Sequence, residues 1–134
     1  MIVVDTNLLV DYYVERGRTA VAETVLDRDP VWMAPLLWRS EFRSVLAALI
    51  ADGIVRLVDA VRATHDAELF MGGHEYQVVS ETALRLATGS GCTAYDCEFV
   101  ALAQDLGTRL VTSDAEVLKA FPGLTVTPER FTRR

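Results

Sequence analysis

Ile2-Val3-Val4 is an unbroken β-branched run that stops at Asp5, and Arg109 to Thr112, with apolar Leu110-Val111 at its centre, reads as a strand just before Asp114. Runs this short and this apolar have no polar face to offer water, so each reads as a strand covered on both sides. Helix-length stretches separate them. Strands joined by helical crossovers lie parallel, with helices against both faces of the sheet. The expectation is therefore an α/β fold, and 134 residues without a repeat or a Pro/Gly-rich linker suit one domain spanning 1–134.

The intervening residues supply the punctuation. Ile2 to Asp5 is followed by a helical region in two pieces, broken near Gly17. Val31 to Ala34 is a second strand between Pro30 and Pro35. Leu36 to Asp52 has helical periodicity and stops at Gly53, and Ile54 to about Phe70 ends at Gly72-Gly73. In that last helix Leu57, Val61 and Leu69 form an apolar stripe expected to face the core. Tyr76 to Val79 is a weaker strand, with Ser80 as N-cap of the next helix. Thr93 opens a helix to about Leu106, closed by Gly107. Arg109 to Thr112 is a strand, Asp114 to Ala120 a short helix, and Leu124 to Val126 the last strand. Trp32 and Trp38 sit among apolar neighbours, which points to packing or a protein contact; His65 and His74 lack any metal or acid–base pattern.

Charge and cysteine usage exclude several classes. A net charge of −6 argues against a passive nucleic-acid-binding module, because phosphates are held by Lys and Arg. It argues less against an enzyme whose bound divalent cation reverses the local charge, with Arg39/Arg43 or Arg16/Arg18 holding a backbone. Cys92 and Cys97 are too few for a disulfide scaffold and are not spaced as a zinc site, so reduced thiols are expected. No basic region precedes the first apolar run, and no stretch approaches the roughly 20 apolar residues of a membrane span. A cytoplasmic chain with no membrane partner is the expectation.

Four acids carry the chemistry. Asp5 and Asp114 follow the ends of two strands, the edge at which open parallel sheets bind ligands. Asp96 lies in the first turn of the helix leading into the Asp114 strand. Glu41 borders the face shared by Trp38, Phe42, Val45, Leu46 and Leu49. Each has an ordinary explanation: Asp5 as a cap, Asp96 in a capping box with Thr93, Asp114 next to a Ser113 cap, Glu41 as a surface acid. Together they are harder to explain so, since two carboxylates about 5 Å apart repel by roughly 3 kcal/mol at an effective dielectric near 20. Oxygen-only ligands suit Mg²⁺ or Mn²⁺, which promote phosphodiester hydrolysis by activating a water and clamping the reacting oxygens.

In order and spacing these segments resemble the PIN-domain family, in particular its VapC-type toxins. Ile2-Val3-Val4-Asp5-Thr6-Asn7 is similar to the family's strand-then-DTN opening, and Trp38-Arg39-Ser40-Glu41 to its helical glutamate segment. Thr93-Ala94-Tyr95-Asp96 with Phe99-Val100-Ala101-Leu102-Ala103, and Leu110-Val111-Thr112-Ser113-Asp114, match its two later motifs. The resemblance implies a three-layer α/β/α sandwich with a parallel sheet in the order 3-2-1-4-5. It implies Mg²⁺- or Mn²⁺-dependent cleavage of RNA, a homodimer, and inhibition by a small cognate antitoxin (VapB-like). Carried over by position, Asp5, Glu41, Asp96 and Asp114 are the catalytic, metal-holding acids, and Asn7 and Thr112 their helpers. A free-standing PIN nuclease without antitoxin, and a non-catalytic PIN binding module, are the alternatives. A haloacid-dehalogenase phosphatase would need an Asp where Asn7 stands and a well-placed lysine, whereas Lys119 is the only lysine. A response-regulator receiver would need an acid pair after the first strand and an Asp after the third, and neither is evident.

Overall fold

The computed structural model describes residues 1–133. Five strands, β1 (Ile2–Val4), β2 (Trp32–Pro35), β3 (Glu75–Tyr76), β4 (Leu110–Val111) and β5 (Thr125–Val126), form one sheet in the order β3-β2-β1-β4-β5. All neighbouring pairs are parallel, so every connection is a crossover, as the apolar runs require. The helices are α1 (Thr6–Tyr13), α2 (Thr19–Arg28), α3 (Trp38–Ala51), α4 (Leu57–Met71), α5 (Ser80–Ser90), α6 (Ala94–Leu106), α7 (Ala115–Ala120) and α8 (Pro128–Phe131). α1 to α4 pack on one another, with α4 reaching β2, while α6, backed by α5, packs on β1, β2 and β4. The sheet is the middle of three layers.

The core follows from the strand sequences. Val3, Val4 and Val111 are wholly buried in the central strands, and Trp32 and Trp38 are the largest fully buried side chains. Both indoles satisfy their N–H, Trp32 on the Asp29 carbonyl at 2.9 Å and Trp38 on Glu75 Oε2 at 2.8 Å, as buried indoles must. The Trp38 bond joins the start of α3 to β3, the edge strand.

Three local expectations are corrected. β3 lies at Glu75–Tyr76 rather than Tyr76 to Val79, because its partner β2 ends at Pro35, paired with Tyr76. Glu75 enters the strand despite its charge because Arg39 and Trp38 occupy its carboxylate. Ser80 is the first residue of α5 rather than its cap, and Val79 holds the cap position without a side-chain bond. The apolar stripe of α4 faces outward. Leu57, Val61 and Leu69 are more than half exposed, whereas Ala60, Ala63, Ala67 and Met71 face the core, because small side chains let α4 lie close to its neighbours. α8 was not expected, although Thr127 capping Arg130 N–H and Pro128 in the first turn are a helix-start signature.

Among the described residues no helix is long and apolar enough to cross a membrane. Replacing Trp32 by Ala should cost about 3–5 kcal/mol of unfolding free energy in a urea titration. Leu69→Ala, on the outward face of α4, should change it by no more than about 0.5 kcal/mol.

Candidate active site

β1 and β4 are adjacent, but the chain leaves β1 toward β2 and returns to β4 on the other side. That change of direction opens a crevice at the carboxyl ends of the two strands. Val4 pairs with Val111, which sets Asp5 opposite Thr112, and the Thr112 hydroxyl donates to Asp5 Oδ2 at 2.7 Å. Thr112 Oγ1 also accepts from the Asp114 N–H at 3.1 Å. One hydroxyl thus links the acids at the ends of two strands.

Helix starts position the carboxylates. Asp5 caps α1, its Oδ1 accepting from the Leu8 N–H at 2.9 Å. Asp114 itself caps α7, its Oδ1 accepting from Glu116 and Val117 at 2.9 and 3.1 Å, so Ser113 does not hold that role. Asp96 lies in the first turn of α6, whose cap is Thr93 as expected, with Thr93 Oγ1 accepting from the Asp96 N–H at 3.0 Å. Glu41 stands in the first turn of α3, and its Oε1 accepts from the Thr6 hydroxyl at 2.8 Å. The ordinary reading of Asp5 as a cap and the reading of it as a site acid are therefore compatible. Capping orients a carboxylate at the sheet edge.

Asp5, Glu41, Asp96 and Asp114 line one small pocket of about 110 Å³, together with Asn7 and Thr112. Its inner wall is apolar, from Val45, Phe99, Leu110 and Val117. Burial is the main reason that Asp5, Glu41 and Asp96 hold their protons above the usual carboxylate range. Hydrogen bonds from Thr112, Thr6 and Thr93 respectively pull the other way, and neighbouring charge adds to the rise: Asp11 acts on Asp5, Asp96 and Asp5 on Glu41, and Asp114 on Asp96.

Oxygen is the only donor type facing this pocket apart from the Asn7 amide, a set that fits a hard divalent cation such as Mg²⁺ or Mn²⁺. Among the described residues no group of three acid, histidine or cysteine side chains already stands in position to grip an ion. The acids repel one another, and Asp5 Oδ2 and Glu41 Oε1 each accept a hydrogen bond from a hydroxyl, which leaves further lone pairs for a shared ion.

Arg39 and Arg43 do not line the pocket. Arg39 is bound to Glu75 through Nε at 2.6 Å and Nη2 at 2.9 Å and approaches Glu68, which Arg43 also reaches at 3.8 Å. Asn7 lines both the pocket and a larger neighbouring groove. The sequence reading passed over Thr6 and Asp11. Thr6 follows Asp5 directly, and Asp11 is one helical turn beyond Asn7 on the same face, a spacing that could have revealed it.

Comparison with known proteins agrees with this architecture. The PIN domain model matches residues 2–123. The chain is 30% identical to Ribonuclease VapC3 of Pyrobaculum aerophilum over 140 aligned residues, covering 95% of this chain and 98% of that protein. Its fold is similar to that of a crystallised Pyrobaculum aerophilum protein, with a TM-score of 0.77, 21% identity, and coverage of 98% of this chain and 85% of the other. A toxin–antitoxin complex from Klebsiella pneumoniae contains a chain matched at a TM-score of 0.68 and 18% identity, covering 96% of this chain and 98% of that one.

A carboxyl whose folded pKa lies above its unfolded value favours the native state below the unfolded value. That contribution is lost as pH rises through the folded pKa. Asp5, raised from 3.8, thus makes the cation-free protein less stable toward neutral pH, and Glu41 and Asp96 act in the same sense. Asp5→Asn, which keeps a capping oxygen, should melt higher than the parent at neutral pH in EDTA. The difference should shrink as pH falls toward the ordinary carboxyl range, as thermal denaturation followed by circular dichroism would show.

Proposed function

The chain belongs to the PIN-domain family, and from that premise we propose that it is a Mg²⁺- or Mn²⁺-dependent endoribonuclease of the VapC kind, the toxin of a toxin–antitoxin pair. The observation that carries the reading is the convergence of Asp5, Glu41, Asp96 and Asp114 on one pocket at the switch in strand order. The name of the 30% identical relative supports ribonuclease activity, and the toxin–antitoxin complex among the similar folds supports an antitoxin partner. A cytoplasmic location fits this reading, since RNA is met there. The outward apolar face of α4 is available to a protein partner, whether an antitoxin or a second copy in a homodimer.

Asp5, Glu41, Asp96 and Asp114 would hold the cation. When bound, it supplies positive charge to the phosphate oxygens and makes water a better nucleophile at neutral pH. The chain's own residues do the positioning. Thr112 and the Leu8 N–H fix both oxygens of Asp5, and the Asp114 N–H on Thr112 keeps that hydroxyl turned toward Asp5. Thr6 fixes Glu41 Oε1 at the pocket. Attack of water on phosphorus opposite the 3′-oxygen breaks the P–O3′ bond; the water gives up a proton to solvent and the departing 3′-oxygen takes one from solvent, leaving a 5′-phosphate and a 3′-hydroxyl.

Purified protein should cleave RNA with Mg²⁺ or Mn²⁺ and stop in EDTA. Thr112→Val, which frees Asp5 Oδ2, should lower kcat by about 10–100-fold, the usual effect of losing a group that orients a metal ligand. Asp5→Asn should fall further. Cleavage that survives both EDTA and Asp5→Asn would rule the mechanism out. Expression should arrest growth, and co-expression of an antitoxin encoded beside it should restore growth; arrest that no neighbouring gene relieves would favour a free-standing PIN nuclease.

A further inference from the structure

Beside the acid pocket lies a groove of about 500 Å³ that shares Asp5, Asn7 and Asp114 with it. The pocket of about 110 Å³ has room for an ion and a few waters, each taking roughly 30 Å³ of liquid volume. The groove falls in the roughly 300–1,000 Å³ range of small-ligand sites. One side is formed by Thr127, Pro128 and Glu129 at the start of α8, and Arg16 and Arg18 reach it from the turn between α1 and α2.

That turn is well tied. The Thr19 hydroxyl donates to the Asp11 carbonyl at 2.7 Å, and the Gly17 N–H donates to Glu15 Oε1 at 2.8 Å. Gly17 has φ +95°, a conformation strained for other residues. Arg18 closes the groove's outer side through Glu129 at 2.6 Å. Arg16 is gripped twice: its Nε donates to Asp11 Oδ1 at 2.7 Å and its Nη2 to Asn7 Oδ1 at 3.1 Å. Nη1 has no partner among the described residues. Asp11 is a buried acid, and Arg16 is its one ion-pair partner among them.

A polyanion approaching this site meets carboxylates from six acids, counting Asp11 and Glu129, and needs a cation beyond them. Arg39, Arg43, Arg56 and Arg85 are all paired with acids elsewhere and line neither cavity. A guanidinium offers several N–H groups in a planar fork suited to phosphate, and one held by two side-chain partners loses little freedom on binding. We propose that Arg16, aimed by Asp11 and Asn7 into this groove, clamps a backbone phosphate of single-stranded RNA next to the one being cut. Arg16 is the binding residue and Asp11 its positioning residue. The cut itself rests on the ribonuclease reading above; the phosphate contact does not.

Fluorescence anisotropy of a labelled oligouridylate, titrated with protein across a KCl series in EDTA, reads the contact without cleavage. Arg16→Ala should bind about tenfold more weakly at low salt, the loss of a charge-assisted hydrogen bond. It should also flatten the slope of log K against log salt by about 0.7, the counterion release of one phosphate on a single strand. Arg16→Lys should keep the slope and recover only part of the affinity, since a point charge cannot be held by Asp11 and Asn7 together. Asp11→Asn should keep the slope and weaken binding. Arg85→Ala removes the same charge far from the groove and should leave the slope alone. Circular dichroism checks each fold, and Arg16→Gln replaces Arg16→Ala if the latter does not fold. An Arg16→Ala slope equal to the parent's, or an equal loss of slope in Arg85→Ala, overturns the clamp. Cleavage and Mn²⁺ binding by the parent are measured apart. A protein that cleaves with an unchanged Arg16→Ala slope refutes the clamp alone; one that binds through Arg16 and does not cleave refutes the ribonuclease reading alone.

Discussion

The parallel pairing of β1 with β4 is the constraint on which the site depends. Its register puts Val4 beside Val111, so the next residues, Asp5 and Thr112, face each other where the strands end. There the ladder has no more backbone pairs to make, and a side-chain hydrogen bond takes over. The same hydroxyl receives the Asp114 N–H, so the register of two buried strands is translated into the relative position of two carboxylates. Shifting that register by one residue would turn every side chain of the strand to the opposite face and dismantle the site.

Gathering like charges at a half-buried edge opposes folding, and the protein offsets this locally. Each acid receives hydrogen bonds from a hydroxyl or from helix N–H groups, and Asp5 and Asp114 also meet the favourable end of a helix dipole. Those bonds do not cancel the cost of burial, because three of the acids still hold their protons more tightly than free carboxyls. A site tuned in this way is destabilising by itself and gains from a positive partner, a common compromise between stability and activity.

The distribution of arginine reconciles a net acidic chain with the proposed RNA substrate. Net charge describes solubility and long-range field, not the few angstroms that hold one phosphate. Arg39, Arg43, Arg56 and Arg85 are paired with acids away from both cavities, and Arg16 and Arg18 stand at the groove. α4 teaches a similar lesson about pattern. Leu57, Val61 and Leu69 face solvent while Ala60, Ala63 and Ala67 are inside, with Phe70 and Met71 packing inward at the end of the helix.

The sequence by itself determined the parallel sheet, the chain order of its strands and the place of Asp5 and Asp114 at strand ends. Short β-branched runs must be covered on both faces, and residues just past their ends must lie at the sheet edge. It also marked Thr93 and Gly107 as the ends of α6, because capping is a local interaction. Only the tertiary structure decided the extent of β3, which depends on where β2 stops and on Arg39 and Trp38 crossing to Glu75. Only it decided which face of α4 is buried, and that Arg16 rather than Arg39 faces the groove beside the acids. A charge pattern along the chain records which residues are cationic. Which of them find an acid first is set by neighbours distant in sequence, and those are chosen by packing.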